Sequence, residues 1–327
     1  MISAHTSVEH WAMLEPFEIA REVITEQPVL FLTLTDAQGF RGRSEAAGVD
    51  YAGETPPSMA EQIVAFMQDR PDAGALAAAL PGLPSGGARN ALDCALWDLR
   101  AKRSGTAAWR SAGCQPLEPL LTAFTVGLGD ETSTRRKLRA ARGYPLLKLK
   151  VDALRHLDVV RWARAEHPAA RLVVDANQSW SLALLEQLLP DLTALGVELV
   201  EQPLALGADA ALAGFHSTIP LAADESCTDR STLAELAQRY QYINIKLDKC
   251  GGLTEALALA DAATALGLGL MVGNMCGTSL AMAPAFLLAQ RCVYVDLDGP
   301  LLQRLDRPDG MRYEGGMVGP PSAALWG

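Results

Sequence analysis

The strongest constraint on this chain is an alternation that begins near residue 117. Short runs rich in Val, Ile and Leu, most of them ending in charged or amide residues, alternate with Ala/Leu-rich helical runs. That grammar is the sign of βα units and a parallel sheet. Strands are expected near Leu121–Val126, Leu146–Lys150, Leu172–Asp175, Val197–Glu201, Ile219–Ala223, Tyr242–Lys246, Leu268–Val272 and Val293–Asp296. A spacing of roughly 22 to 27 residues suits one strand, one helix and two short loops, and eight such units close into a (β/α)₈ barrel of the TIM type. A doubly wound open sheet shares the alternation but does not explain what sits at the strand ends.

The first third follows a different pattern. An apolar strand at Val29 to Leu34, a turn at Asp36-Ala37-Gln38-Gly39 and a second strand precede helical segments from Pro57 to Asp69 and from Ala88 to Lys102. The expected organisation is an α+β capping domain over residues 1–116, completed by a Pro/Gly-rich C-terminal segment 300–327, with the barrel at 117–299. A chain of 327 residues suits one large domain with a smaller companion.

Charge and apolar content narrow the partners. With 49% hydrophobic residues and a net charge of −10 without a basic cluster, the chain reads as a globular enzyme, not as a nucleic-acid or anionic-membrane binder. No apolar run is long enough to span a membrane, and no basic segment followed by an apolar run opens the sequence, so a cytoplasmic protein is expected. A homo-oligomer is compatible with this composition. The six cysteines lack zinc-knuckle or CxxC spacing and read as free thiols.

In such a barrel the chemistry is built at the C-terminal ends of the strands. Strand 2 ends in Lys148-Leu149-Lys150, strand 3 in Asp175-Ala176-Asn177, strand 4 in Glu201-Gln202-Pro203, strand 5 in Asp224-Glu225-Ser226, strand 6 in Lys246-Leu247-Asp248 and strand 8 in Asp296-Leu297-Asp298. Asp175, Glu201 and Asp224 fall on three consecutive strands. Three carboxylates gathered there need a compensating cation, and their hard oxygens match Mg²⁺ or Mn²⁺; zinc is disfavoured because no His or Cys ends these strands.

Strands 2 and 6 are four apart in a ring of eight, which sets Lys150 and Lys246 on opposite sides of the mouth. A lysine near a cation and another lysine should have a depressed pKa and act as a base, with Lys148 supplying positive charge to Lys150. Asn177 and Asp248 are expected as hydrogen-bond partners that orient a ligand or a lysine. None of the five histidines falls at a strand end, and Ser226 and Cys227 have no triad partners.

These residues resemble the enolase superfamily, in particular its muconate-cycloisomerase-like subgroup. The likeness rests on Lys148-Leu149-Lys150, Val174-Asp175-Ala176-Asn177, Val200-Glu201-Gln202-Pro203, Ala223-Asp224-Glu225-Ser226 and Ile243-Asn244-Ile245-Lys246, in that order behind a capping domain. The resemblance implies Asp175, Glu201 and Asp224 as Mg²⁺ ligands and Lys150 with Lys246 as the acid/base pair. Asp296-Leu297-Asp298 looks like the Asp-x-Asp with which dipeptide epimerases bind a substrate α-ammonium group. Pro16-Phe17-Glu18-Ile19-Ala20-Arg21 is similar to the capping loop of L-Ala-D/L-Glu epimerases, which implies that Arg21 contacts a glutamyl carboxylate. Thr125 matches that group's strand-1 Thr. Gly277 departs from the pattern, standing where a bulkier polar residue is expected.

The expected function is Mg²⁺-dependent epimerisation of a dipeptide by two-lysine proton transfer through a metal-stabilised enediolate. Cycloisomerisation, o-succinylbenzoate synthesis or N-acylamino acid racemisation are alternatives on the same scaffold. A barrel that only binds metal or ligand is the alternative of a different class, and metal-assisted hydrolysis fits less well, since nothing beyond the lysines would direct a water.

Overall fold

A computed structural model describes residues 1–68 and 72–327. Three antiparallel strands, Ile2–Glu18, Val23–Asp36 and Arg41–Ala46, form the first sheet in that order. The expected turn closes as the residue types demand. Asp36 Oδ1 accepts from the backbone N–H of Gln38 and Phe40 at 2.8 and 3.0 Å, and Gly39 takes φ +86°. One face of the sheet buries Leu30, Leu32 and Leu34 against Met59, Ile63 and the helix Gly87–Ser104. That helix lies so close to the third strand that a Cβ on Gly42 would stand 2.1 Å from the Ala95 carbonyl. Thr55 caps the helix Pro56–Met67, with Pro56 at its first position. Its expected end at Asp69 lies outside the described residues.

The first strand was not anticipated. Its 17 residues alternate between half-exposed and exposed positions, and only Ile2, Met13 and Phe17 are buried, so no apolar stripe announces it. Pro16 to Arg21, expected as a loop, instead completes this strand and turns the hairpin, closed by Ile19 N–H to Glu22 O at 3.0 Å. The hairpin tip is tied to the second domain: Leu128 N–H donates to Glu18 O at 2.8 Å, and Arg155 meets the Glu18 carboxylate at 2.7 Å.

Eight parallel strands follow in simple sequential order. Strands 2 and 4, Leu146–Lys150 and Val197–Glu201, span the expected residues. The others are Phe124–Val126, Arg171–Asp175, Leu221–Ala223, Tyr242–Ile245, Gly269–Val272 and Tyr294–Val295. The expected strand 1 is split. Leu120–Leu121 leaves the barrel to pair antiparallel with Met317–Val318. The two edges of the curled sheet meet where Ala123 N–H donates to Val295 O at 2.7 Å.

Alternation along the strands sorts the side chains into layers. Ala123, Leu146, Val173, Leu199, Ala222, Met271 and Tyr294 pack together as an apolar floor, while Leu147, Leu149, Val174, Val200 and Ile243 face the helices. Two residues beyond Ala123, Leu146, Val173, Leu199, Ala222 and Tyr294, and beyond Tyr242, which packs half-buried on this floor, stand Thr125, Lys148, Asp175, Glu201, Asp224, Asp296 and Asn244; beyond Met271 stands Gly273. The chemistry therefore stacks directly on the floor.

The C-terminal segment packs back on the first domain. Trp326 Nε1 donates to Cys94 O at 3.1 Å, and Gly327 N–H donates to Asp98 Oδ1 at 2.7 Å. The six cysteines are free thiols, three of them buried. Among the described residues no helix is long and apolar enough to cross a membrane.

Candidate active site

Lateral register brings the strand ends side by side: Lys150 pairs with Asp175, and Asp175 with Glu201. Asp175, Glu201 and Asp224 are buried, and each offers a carboxylate oxygen within 4.8 Å of the others. Lys148 is enclosed by carboxylates, with Nζ at 3.1 Å from Asp175, 2.8 Å from Glu201 and 2.9 Å from Asp296. Lys150 donates to Asp175 Oδ2 at 2.6 Å and to Asn177 Oδ1 at 3.0 Å; Lys246 donates to Asp224 Oδ2 at 2.7 Å.

These charges set one another's protonation. Burial opposes ionisation of Asp175, yet Lys150 and Lys148 outweigh it and hold the carboxyl at about 2. Asp224 is likewise held well below the ordinary range, because Lys246 and Lys249 overcome burial. Glu201 goes the other way, pushed up to about 7 by burial and the neighbouring Asp175 charge. Burial works against the Lys148 ammonium, but Asp296, Glu201 and Asp175 keep it well above the usual lysine range.

At Lys246 burial lowers the pKa, but the ion pair with Asp224 outweighs it and raises it.

The acidic cluster suits a divalent cation by its donor set, three hard carboxylates on adjacent strands. The geometry agrees, since one oxygen of each carboxylate already lies within 4.8 Å of the others; Glu201 Oε2 is ion-paired with Lys148 at 2.8 Å but makes no hydrogen bond of good geometry. Asp175, Glu201 and Asp224 are the residues that would hold the ion.

A cavity of about 370 Å³ opens above the cluster, between barrel mouth and capping hairpin. Lys150, Lys246, Asp224, Asn177, Arg21 and Tyr51 are among its lining residues, and no histidine is. Lys150 and Lys246 thus face one space from strands 2 and 6. Arg21, at the hairpin tip, donates to Glu225 Oε1 at 2.9 Å and lies over the Tyr51 ring at 4.9 Å.

Other expected residues sit differently. Lys148 is not on the cavity wall; it holds the carboxylates beneath. Asp296 and Asp298 are buried and already engaged. Asp296 takes Lys148 and, at 3.4 Å, Thr125 Oγ1, while Asp298 accepts from Thr125 N–H at 2.6 Å and from Asn274 Nδ2 at 3.4 Å. Burial and Asp296 together push Asp298 up to about 7. Asp248 turns away from the lysines and accepts Gly48 N–H at 3.0 Å, because a helical turn at Leu247–Cys250 points it at the capping domain. Gly277 is explained by space: a Cβ there would meet Ala281 at 2.6 Å and Glu45 at 3.0 Å.

Three residues with structural parts in the site were not singled out in the sequence. Lys249 contacts Asp224, Asn244 Nδ2 donates to Glu201 Oε1 at 2.8 Å, and Gln202 Oε1 accepts Asp224 N–H at 2.9 Å. Gln202 also holds φ +33°, a left-handed backbone maintained by five side-chain hydrogen bonds to its surroundings.

Comparison with known proteins gives a consistent picture. Among curated proteins, the L-Ala-D/L-Glu epimerase of Escherichia coli (strain K12) is 40% identical over 94% of this chain and 96% of its own length. An N-acetyl-D-glutamate racemase of Pseudoalteromonas sp. is 43% identical over 75% of this chain and 78% of its own. A solved enolase family member from Agrobacterium tumefaciens with homology to dipeptide epimerases, holding sodium and L-Ala-L-Glu, superposes with a TM-score of 0.96 at 42% identity, each chain fully covered. Residues 1–111 match the mandelate racemase/muconate lactonizing enzyme N-terminal domain, and residues 132–324 match the enolase C-terminal domain-like family. With both family domains in order and the acidic triad and lysines at the barrel mouth, the chain belongs to the mandelate racemase/muconate lactonizing enzyme branch of the enolase superfamily.

Proposed function

We propose that this protein inverts the α-carbon of the C-terminal residue of a dipeptide of the L-Ala-D/L-Glu kind. The observation that carries the reading is the pair Lys150 and Lys246, which line one cavity from strands four apart in a ring of eight. One lysine takes the α-proton from one face of the carbon, and the other returns a proton to the opposite face. A lysine accepts a proton only when uncharged, so its ion pair with Asp175 or Asp224 must loosen for that half of the transfer. Bound by Asp175, Glu201 and Asp224, Mg²⁺, or Mn²⁺ in its place, would supply positive charge to the substrate carboxylate and so acidify the neighbouring carbon.

The remaining residues orient the substrate. Arg21 has donors to spare beyond its bond to Glu225 and meets a glutamyl side-chain carboxylate. Asp296 and Asp298 meet the α-ammonium group, with Thr125 setting their geometry and Lys148 holding Asp296 and the metal carboxylates apart. Asn177 aims Lys150. Residues 1–116 with 300–327 act as the cap that excludes water over the barrel of residues 117–299. Incubating the protein with L-Ala-L-Glu and Mg²⁺ in D₂O should place deuterium at the glutamyl α-carbon and yield both epimers. No exchange across a broad dipeptide panel would reject the reading.

One observation favours a second substrate class. The carboxylates of Asp296 and Asp298 are already paired with Lys148, Thr125 and Asn274, which lowers their call on an incoming cation. An N-acylglutamate, with no ammonium group, needs no such partner, and the Pseudoalteromonas relative carries that kind of activity in its name. Running N-acetylglutamate beside L-Ala-L-Glu in the D₂O assay separates the two by which exchanges faster at equal concentration.

A further inference from the structure

Lys249 is a buried cation that the proposed proton transfer does not use. The chain makes one helical turn over Leu247–Cys250 and stops at Gly251, φ +87°. Lys249 N–H bonds back to Lys246 O at 3.0 Å, and this turn brings the Lys249 side chain, 1% exposed, against the ends of strands 5 and 6. Its ammonium donates to Asp224 Oδ1 at 2.6 Å, to the Asp224 carbonyl, and to Asn244 O at 3.0 Å. An ammonium group has three protons, and all three are used.

Asp224 is consequently held at every polar atom. Lys249 takes Oδ1 and the carbonyl, Lys246 takes Oδ2 at 2.7 Å, and Gln202 Oε1 takes the backbone N–H at 2.9 Å. The hold extends to the next strand, because Asn244, whose carbonyl Lys249 grips, donates its side-chain N–H to Glu201. We propose that Lys249 is a positioning residue that fixes the Asp224 carboxylate in its ligating direction before any cation arrives; the inference rests on the metal reading above.

Two effects of this lysine have opposite signs. A positive charge 2.6 Å from a ligating carboxylate repels an incoming cation, so its removal would tighten Mg²⁺ binding. Orientation works the other way, since an Asp224 released from its two contacts with Lys249 can rotate. Orientation prevails here. A lysine present only for its charge would duplicate Lys246 on the same carboxylate and would have no need of two backbone carbonyls.

The test is a calorimetric Mg²⁺ titration of metal-stripped wild type and K249M, with circular dichroism to establish that the variant is folded. Loss of a residue that orients a ligand typically weakens metal affinity about 10–100-fold, and K249M should fall in that range. Equal or tighter binding by folded K249M overturns the proposal. Wild type that binds no Mg²⁺ removes the metal reading and this inference with it. Crystal structures of wild type with EDTA and with Mg²⁺ decide the matter if K249M does not fold. Lys249 should keep its three contacts and Asp224 its rotamer in both, and a Lys249 that leaves Asp224 in the loaded form overturns the proposal.

Discussion

Replacing Lys148 with Met should make the protein depend on a divalent cation for its stability. Lys148 is 1% exposed and lies within 3.1 Å of three carboxylates, those of Asp175, Glu201 and Asp296. Met nearly conserves its volume, so packing loss is minor and the effect is electrostatic. Removing one partner of a buried ion pair costs about 3–5 kcal/mol, because the charge left behind has neither water nor partner. For a chain of 327 residues, with an unfolding entropy of about 0.7 kcal/mol/K, that is a fall in Tm of roughly 4–7 °C in EDTA. Millimolar Mg²⁺ should return most of the loss, since a cation bound only by the folded state stabilises it in proportion to the logarithm of its excess over Kd.

The pH dependence has a definite sign. Burial and the Asp175 charge already raise Glu201 to about 7, well above the ordinary carboxylate range, and Lys148 is one of the groups restraining it. Without Lys148 it climbs further. A carboxyl whose folded pKa exceeds its unfolded one contributes stability below the unfolded value and loses it as pH rises through the folded value. The K148M deficit should therefore be greatest near pH 8 and shrink toward pH 5. Differential scanning fluorimetry across that range, with EDTA or Mg²⁺, reads all of this. A K148M protein whose Tm in EDTA at pH 8 matches wild type would refute the reasoning.

Arg21→Met should raise KM for L-Ala-L-Glu about 10–100-fold, the equivalent of one lost charge-assisted hydrogen bond of ~1.5–3 kcal/mol, and leave KM for a neutral-side-chain dipeptide nearly unchanged. Steady-state kinetics on the two substrates checks it, and equal losses on both would show that Arg21 serves only the capping hairpin. Because Asp298 is pushed up to about 7, it becomes the carboxylate that an ammonium group requires as pH rises from 6 to 8. KM for the dipeptide should fall over that interval in wild type and stay flat in D298N. Above about pH 8 the substrate's own amino group loses its proton and the gain reverses.

The barrel was legible because parallel strands buried on both faces are apolar until the residue at the mouth, so charges punctuate the runs at Lys150, Asp175 and Glu201. The triad was legible for the same reason, through adjacent strands in register. Where packing gives no apolar stripe, reading fails: the first capping strand, Ile2–Glu18, has a largely exposed face, and its polar alternation resembles a loop. Strand 1 splits at Leu121 because a C-terminal strand, distant in sequence, competes for its edge. Lys249 and Asp248 were exchanged in importance because chain direction after Lys246 depends on a single helical turn, closed by the left-handed Gly251. Gln202 escaped notice because its role follows from a left-handed backbone that no residue type there announces.

Deuterium exchange by K150A and K246A tests the central claim, that two lysines serve opposite faces of one carbon. Each variant, incubated in D₂O with Mg²⁺ and separately with L-Ala-L-Glu and L-Ala-D-Glu, should lose α-proton exchange from one epimer and retain it from the other. The retained epimer should differ between the two variants. Loss of exchange from the same epimer in both, or exchange from both epimers in either variant, would contradict it.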